Sequence, residues 1–175
     1  MTSSFDALKK LIRDVPDFPK KGILYKDITP LLSDGPSFQL VVDHLAQVGI
    51  DHGIKKIVAI ESRGFIFGAA VAHRMGVGVV PVRKKGKLPY KTHSVRYQLE
   101  YGEDVLEMHV DGVGPSDTVM IVDDVLATGG TAEAVLDLVA KAGGRTVASV
   151  FVIELGFLKG RERLKTSHVT SLVHY

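Results

Sequence analysis

The sequence contains no cysteine, which excludes disulfides, thiol catalysis and zinc–thiolate sites. It has no apolar run long enough to span a membrane and no signal-peptide pattern, so the cytoplasm is the expected location. Its net charge is only +2, too small to argue for a nucleic-acid partner, and no helix-turn-helix extension is expected. Gly-x-Gly-x-x-Gly and Gly-Lys-Ser/Thr are both absent, so neither a dinucleotide fingerprint nor a Walker loop is signalled. His44 has no second histidine at metal-ligand spacing. No repeat, low-complexity stretch or linker divides the 175 residues, and 45% hydrophobic with 24% charged residues is ordinary for one globular domain.

What is there centres on Val119-Met120-Ile121-Val122-Asp123-Asp124-Val125-Leu126-Ala127-Thr128-Gly129-Gly130-Thr131. Its apolar, β-branched start reads as a buried strand. Two adjacent carboxylates stand at the strand's carboxyl end, followed by a turn of small residues. A helix then begins, with Val135, Leu138, Val139 and Ala142 on one face and Gly143-Gly144 at its end. A Gly-rich turn entering a helix offers free N–H groups and the positive end of the helix dipole, which suits a phosphate. Thr128 and Thr131 add hydroxyl donors. Asp123 and Asp124 need another partner, and vicinal sugar hydroxyls or a nearby magnesium ion would serve. A sugar phosphate satisfies both halves. The plain alternative is a strand-to-helix turn with a solvated acidic pair.

Residues 3–15 read as an amphipathic helix, capped by Ser3 or Ser4 and ended by Pro16 and Pro19. Phe18 to Pro30 is too irregular for a helix and reads as a packed loop or as a lid over a ligand. A second amphipathic helix spans 37–51 with Ser37 as its cap. Ile57–Ile60 is a short strand leading through Glu61-Ser62-Arg63-Gly64 into helix 65–75, and Val77–Val82 is a further strand. Residues 83–94 form a basic, mobile loop. Arg96–Glu100 and Val105–Val110 could pair as a hairpin. Val147–Ile153 is a strand, Leu158–Leu164 a short helix, and Thr170–His174 an edge strand. The alternation predicts an α/β fold: a parallel twisted sheet flanked by helices. Arg63 and Asp123 both follow sheet strands, so both turns are expected to open onto one crevice at the sheet's carboxyl edge, with the basic loop beside them.

The central stretch resembles the signature of the type I phosphoribosyltransferases, which bind phosphoribosyl pyrophosphate (PRPP). Further stretches resemble the members that act on adenine: Pro16-Asp17-Phe18-Pro19, Gly22 to Pro30, Glu61 to Gly68, Gly86-Lys87-Leu88-Pro89, Leu99-Glu100-Tyr101-Gly102, and Glu154-Leu155 with Leu158-Lys159-Gly160-Arg161. The resemblance implies a magnesium-dependent transfer of the phosphoribosyl group from PRPP to adenine, yielding AMP and pyrophosphate. It implies a hood over the base from about residues 1–35, a mobile loop and hairpin over about 83–110, and a homodimer. Ala127, Thr128, Gly129, Gly130 and Thr131 would hold the 5′-phosphate, and Asp123 and Asp124 the ribose. Arg63 would meet the pyrophosphate, helped by Lys84, Lys87 and by Arg83 from a second subunit. Leu24, Tyr25, Lys26 and Leu155 would frame adenine, although ordinary packing explains Leu24, Tyr25 and Leu155 as well. Glu100 would close over the purine as acid or hydrogen-bond partner; without the resemblance it reads as a surface charge. No direct protein ligand to magnesium is expected, the ion being carried by PRPP or pyrophosphate near Asp123 and Asp124. A non-proline cis peptide is implied at Ser62-Arg63. Position 26 is often Arg in these relatives and is Lys here. That leaves open a 6-oxopurine as the base, and a non-catalytic PRPP-sensing regulator is the alternative from another class.

Overall fold

Strand-forming and helix-forming stretches alternate along most of the chain, and the strands assemble side by side with helices laid across them. The structure, a computed structural model, describes residues 4–99, 102–166 and 168–175. Helix α1 (Ser4–Lys9), strands β1 (Arg13–Pro16) and β2 (Leu24–Asp27) and helix α2 (Thr29–Ser33) come first. They are followed by α3 (Gly35–Asp51), β3 (Lys56–Ile60), α4 (Gly64–Met75) and β4 (Gly78–Lys84). Next come β5 (Thr92–Leu99), β6 (Gly102–His109), β7 (Thr118–Leu126), α5 (Gly130–Lys141), β8 (Arg145–Glu154) and β9 (His168–His174).

Seven strands form the main sheet in the order β5-β6-β4-β3-β7-β8-β9. The run β4-β3-β7-β8-β9 is parallel, and β6 and β5 extend it in antiparallel fashion. Alternation along the strands divides the core in two. Ile57, Met120, Val122 and Val150 face one way onto α3 and α4, whereas Val58, Ile60, Val119 and Ile121 face the other way onto α5. From β3 the chain steps to β4 on one side, and β7 lies on the other. The gap between the carboxyl ends of β3 and β7 is therefore the topological switch point, where open α/β sheets form a crevice.

Several local expectations are corrected. The first helix stops at Lys9 rather than Val15, because Arg13–Pro16 peels off to pair antiparallel with Leu24–Asp27. That ribbon is fastened by Lys26–Asp14 at 2.6 Å and Arg13–Asp27 at 3.6 Å. Part of the irregular 18–30 segment is thus strand β2 and helix α2. Helix α3 starts at Gly35, and its cap is Asp34, not Ser37: the Asp34 carboxylate accepts the Ser37 N–H at 3.0 Å, so Ser37 already lies inside the first turn. The basic 83–94 stretch is not one loop. Arg83 and Lys84 end β4, and Thr92–Ser94 begin β5, because β6 supplies backbone partners continuously from Thr92↔His109 to Leu99↔Gly102. Residues 158–164 form two 3₁₀ turns, Gly156–Leu158 and Gly160–Arg163, broken where Lys159 takes a left-handed φ of 54°.

Candidate active site

The expected crevice exists as a cavity of about 490 Å³ at the switch point. Asp123, Asp124, Val125, Ala127 and Thr131 enter it from β7 and the turn after it, Glu61, Ser62 and Arg63 from the end of β3, and Lys84 from the end of β4. Ile23, Leu24, Tyr25 and Lys26 close it from the β1–β2 ribbon, with Leu155 and Tyr97 completing the wall. Of the residues expected here, Arg83, Lys87, Thr128, Gly129 and Gly130 are not part of this lining. Glu100 lies outside the described residues.

Beyond the acids the chain makes the turn that the residue types demand. Gly129, at φ 81°, caps α5 without a side chain, and its carbonyl accepts the Glu133 N–H at 2.9 Å. A small second cavity of about 70 Å³ opens against this turn, lined by Asp123, Ala127, Thr128, Gly129 and Thr131 among others. Thr131 belongs to both cavities, so the two are contiguous. The turn is clamped from outside by Gly160: a Cβ there would run into the Ala127 carbonyl and come within 2.8 Å of the Gly129 amide nitrogen. Sequence periodicity offered no signal for that contact.

Asp123 and Asp124 have different neighbours. Asp124 is 5% exposed. Its Oδ2 lies 2.7 Å from Arg63 Nε, but the N–H is not aimed along that line, so this buried oxygen lacks a true hydrogen bond. Asp123 accepts the Asp124 N–H at 2.9 Å and is pressed by Gly64, whose missing Cβ would sit 2.7 Å from Oδ1. Asp123 keeps a partial opening to the cavity although protein surrounds it otherwise. Burial, then the charge of Asp124, pushes the Asp123 carboxyl well above the usual range; burial raises Asp124 too, with Arg63 opposing. Two crowded carboxylates with spare acceptor capacity are suited to hydroxyl donors or a cation.

Arg63 joins the floor to the ribbon above. Its Nη1 donates to the Tyr25 hydroxyl and, at 3.2 Å, to the Lys26 carbonyl, and the guanidinium lies 4.8 Å from the centre of the Tyr25 ring. The cis peptide here is Glu61-Ser62, one bond earlier than expected. Arg63 already has helical angles (φ −68°, ψ −31°), and the Ser62 carbonyl accepts the Phe65 N–H, so the Ser62-Arg63 bond belongs to the first turn of α4, where the peptide is trans. The Lys26 side chain leaves the cavity: it is 8% exposed, with Nζ on Asp14 and 3.6 Å from the centre of the Tyr175 ring. Leu24, by contrast, is 51% exposed at the mouth.

Glu61 has no separate role expected from the sequence, yet it gathers the basic residues. Its Oε1 meets Lys87 Nζ at 2.6 Å and Arg83 Nη2 at 3.4 Å, and its Oε2 accepts the Lys84 N–H at 3.0 Å. Burial would raise this carboxyl, but the donors from Lys87, Lys84 and Arg83 outweigh it and bring the pKa down to about 2. Arg83 thus turns to Glu61 of its own chain and to the Lys87 carbonyl, at 3.0 Å.

Residues 31–172 match the phosphoribosyl transferase domain family. Adenine phosphoribosyltransferase of Nitrosococcus oceani is 55% identical over 170 residues, covering 97% of this chain and 99% of that protein. The crystal structure of adenine phosphoribosyltransferase from Rhodothermus marinus superposes with a TM-score of 0.93 at 50% identity, covering 98% of both chains. The Saccharomyces cerevisiae enzyme, solved with adenine and an imino-altritol bisphosphate, superposes with a TM-score of 0.91 at 40% identity, covering 98% of this chain and 99% of that one.

Proposed function

The chain belongs to the phosphoribosyltransferase family, and on that premise we propose that the 127–131 turn holds the 5′-phosphate of PRPP while Asp123 and Asp124 take its ribose hydroxyls. The reaction is transfer of the 5-phosphoribosyl group of PRPP to adenine, giving AMP and pyrophosphate, a purine-salvage step. The observation that carries the site assignment is the meeting, in two contiguous cavities, of a Gly-entered helix start and a crowded pair of acids. A phosphate takes the amides and hydroxyls of the turn, which puts the sugar ring one step away, over the acids. The ring then presents C1 to the adenine framed by Leu24, Tyr25 and Leu155.

At C1 the bond to pyrophosphate breaks as an adenine nitrogen bonds to the same carbon. Positive charge that grows on the ribosyl centre is offset by Asp123 and Asp124 below it. Arg63, Lys84 and Lys87, with Arg83 of the second subunit, receive the leaving pyrophosphate. A divalent cation carried by the substrate fits beside the acids: Asp123 and Asp124 both line the cavity as crowded carboxylates, with Arg63 2.7 Å from Asp124 Oδ2. Magnesium beside Asp123 and Asp124 would neutralise charge on the diphosphate. Glu100 supplies the acid or hydrogen-bond partner for the purine. The β1–β2 ribbon and α2 act as the hood and the 85–91 turn with the β5–β6 hairpin as the moving cover, which shuts out the water that would hydrolyse PRPP. The working form is a homodimer in the cytoplasm. No helix among the described residues is long and apolar enough to cross a membrane.

Base choice follows from Lys26. An oxopurine needs a donor for its 6-oxo group, and the Lys26 ammonium is committed to Asp14 and the Tyr175 ring instead. Adenine is therefore expected to be turned over at least about a hundredfold more efficiently than hypoxanthine or guanine, because a site lacking the required donor leaves a buried acceptor unpaired. Pyrophosphate release measured with a panel of bases tests this; comparable rates with hypoxanthine would reverse the assignment. Glu100→Ala is expected to lower kcat by about 10² to 10⁴, the usual contribution of one general acid. PRPP affinity should stay nearly constant. A protein that only senses PRPP would bind it normally and turn nothing over with either residue at position 100.

A further inference from the structure

The groups expected to receive pyrophosphate already hold an anion, and that anion is part of the chain. Glu61 stands at the carboxyl end of β3, lines the large cavity, and its side chain is 9% exposed. Its two oxygens collect an ammonium, a guanidinium and a backbone amide: Lys87 Nζ at 2.6 Å, Arg83 Nη2 at 3.4 Å and Lys84 N at 3.0 Å. That is the donor set a phosphate oxygen would seek. The Arg83 guanidinium also holds the Lys87 carbonyl, so the turn between β4 and β5 is folded back upon Glu61. The remaining nearby charges are accounted for. Lys84 Nζ is 3.0 Å from Asp104, and the next two backbone donors, Lys85 N–H and Gly86 N–H, go to the Val105 carbonyl at 3.0 Å and to Glu107 at 2.9 Å.

We propose that Glu61 is a place-holder for pyrophosphate: its carboxylate occupies Lys87 and the Lys84 amide before substrate binds and is displaced from them when the diphosphate of PRPP arrives. This rests on the assignment of Lys84 and Lys87 to the pyrophosphate of their own subunit; Arg83 is expected at that of the second subunit. The arrangement has two physical consequences. The turn is ordered before substrate arrives, because its cations already have a partner, so less conformational freedom is lost on binding. A carboxylate also remains within reach of the donors after transfer, so it competes with pyrophosphate and promotes its departure. Glu61 is a positioning residue for product release as well as for entry.

The test is titration of the intact protein with inorganic pyrophosphate in the presence of magnesium, with AMP titrated in parallel. Glu61→Gln keeps the size of the side chain and removes the competing charge. Pyrophosphate is then expected to bind about tenfold more tightly, the ratio for relief of one modest charge competition. AMP affinity should stay the same, because its phosphate lies in the 127–131 turn. A general loosening of the fold would weaken both ligands. Glu61→Asp, too short to reach all three donors, should shift pyrophosphate affinity in the same direction by a smaller factor, and it carries the test if the Gln variant is poorly folded. In a Lys87→Ala background the gain from Glu61→Gln should largely vanish. Unchanged or weaker pyrophosphate binding by the Glu61 variants, or a gain that survives loss of Lys87 in full, overturns the place-holder role. A native protein that neither binds pyrophosphate nor converts adenine to AMP overturns the underlying function instead.

Discussion

Replacing Asp123 and Asp124 together by asparagine is expected to weaken PRPP binding by at least about a hundredfold, since each charged acceptor lost from a hydroxyl is worth roughly 1.5–3 kcal/mol. The change keeps the shape of both side chains. It also removes the mutual repulsion that, together with burial, raises the Asp123 carboxyl, and it takes away the counter-charge of Arg63 at Asp124. The double variant should therefore unfold no more readily than the parent, or nearly so, while its catalytic efficiency collapses. Equilibrium binding of PRPP beside a thermal melt separates the two effects. Retained PRPP affinity would mean that the acids serve only to shape the end of β7. Arg63 gives the result a second reading: freed from Asp124, its guanidinium keeps Tyr25 and the Lys26 carbonyl, so the ribbon over the base should remain in place.

The second large effect comes from a residue with no chemistry of its own. Gly160→Ala places a methyl group against the Ala127 carbonyl and within 2.8 Å of the Gly129 nitrogen, both of them backbone atoms of the turn proposed to hold the phosphate. Neither can swing aside as a flexible side chain would. The turn must shift, and its amides then miss the phosphate. A shift of this kind costs PRPP binding and kcat together, by about two orders of magnitude for a misplacement near 1 Å. Overpacking should also lower stability by about 1–3 kcal/mol. Steady-state kinetics against PRPP and a denaturant titration measure both. An alanine variant with native PRPP kinetics would show that the turn has room the structure does not give it.

The central unit was readable from residue order alone: a β-branched run, two acids, a small-residue turn and a helix with one apolar face reappear as β7, the cavity floor and α5. The sheet's carboxyl edge as the place of the crevice was readable for the same reason, because alternating strands and helices leave few topologies. The start of the chain was not. The pattern of Leu8, Leu11 and Ile12 suits a longer helix, but the backbone of Arg13–Pro16 found a partner strand eleven residues on, and long-range pairing outweighed a weak local preference. The capping acid of α3 was missed for a smaller reason: Ser37 and Asp34 are both good caps, and the phase of the helix decides between them.

Residue types in a fixed local spacing were enough to place an acidic pair and a small-residue turn at one crevice, because a strand, its terminal carboxylates and a helix start are all made by neighbours in the chain. Which way Lys26 points, what Glu61 holds and why position 160 must lack a Cβ all depend on atoms far away in sequence. Those atoms meet only because the sheet order places β3 beside β7 and folds the ribbon and the 3₁₀ turns onto its edge. Contacts of that kind have no local period, so they exist as facts only in the folded chain.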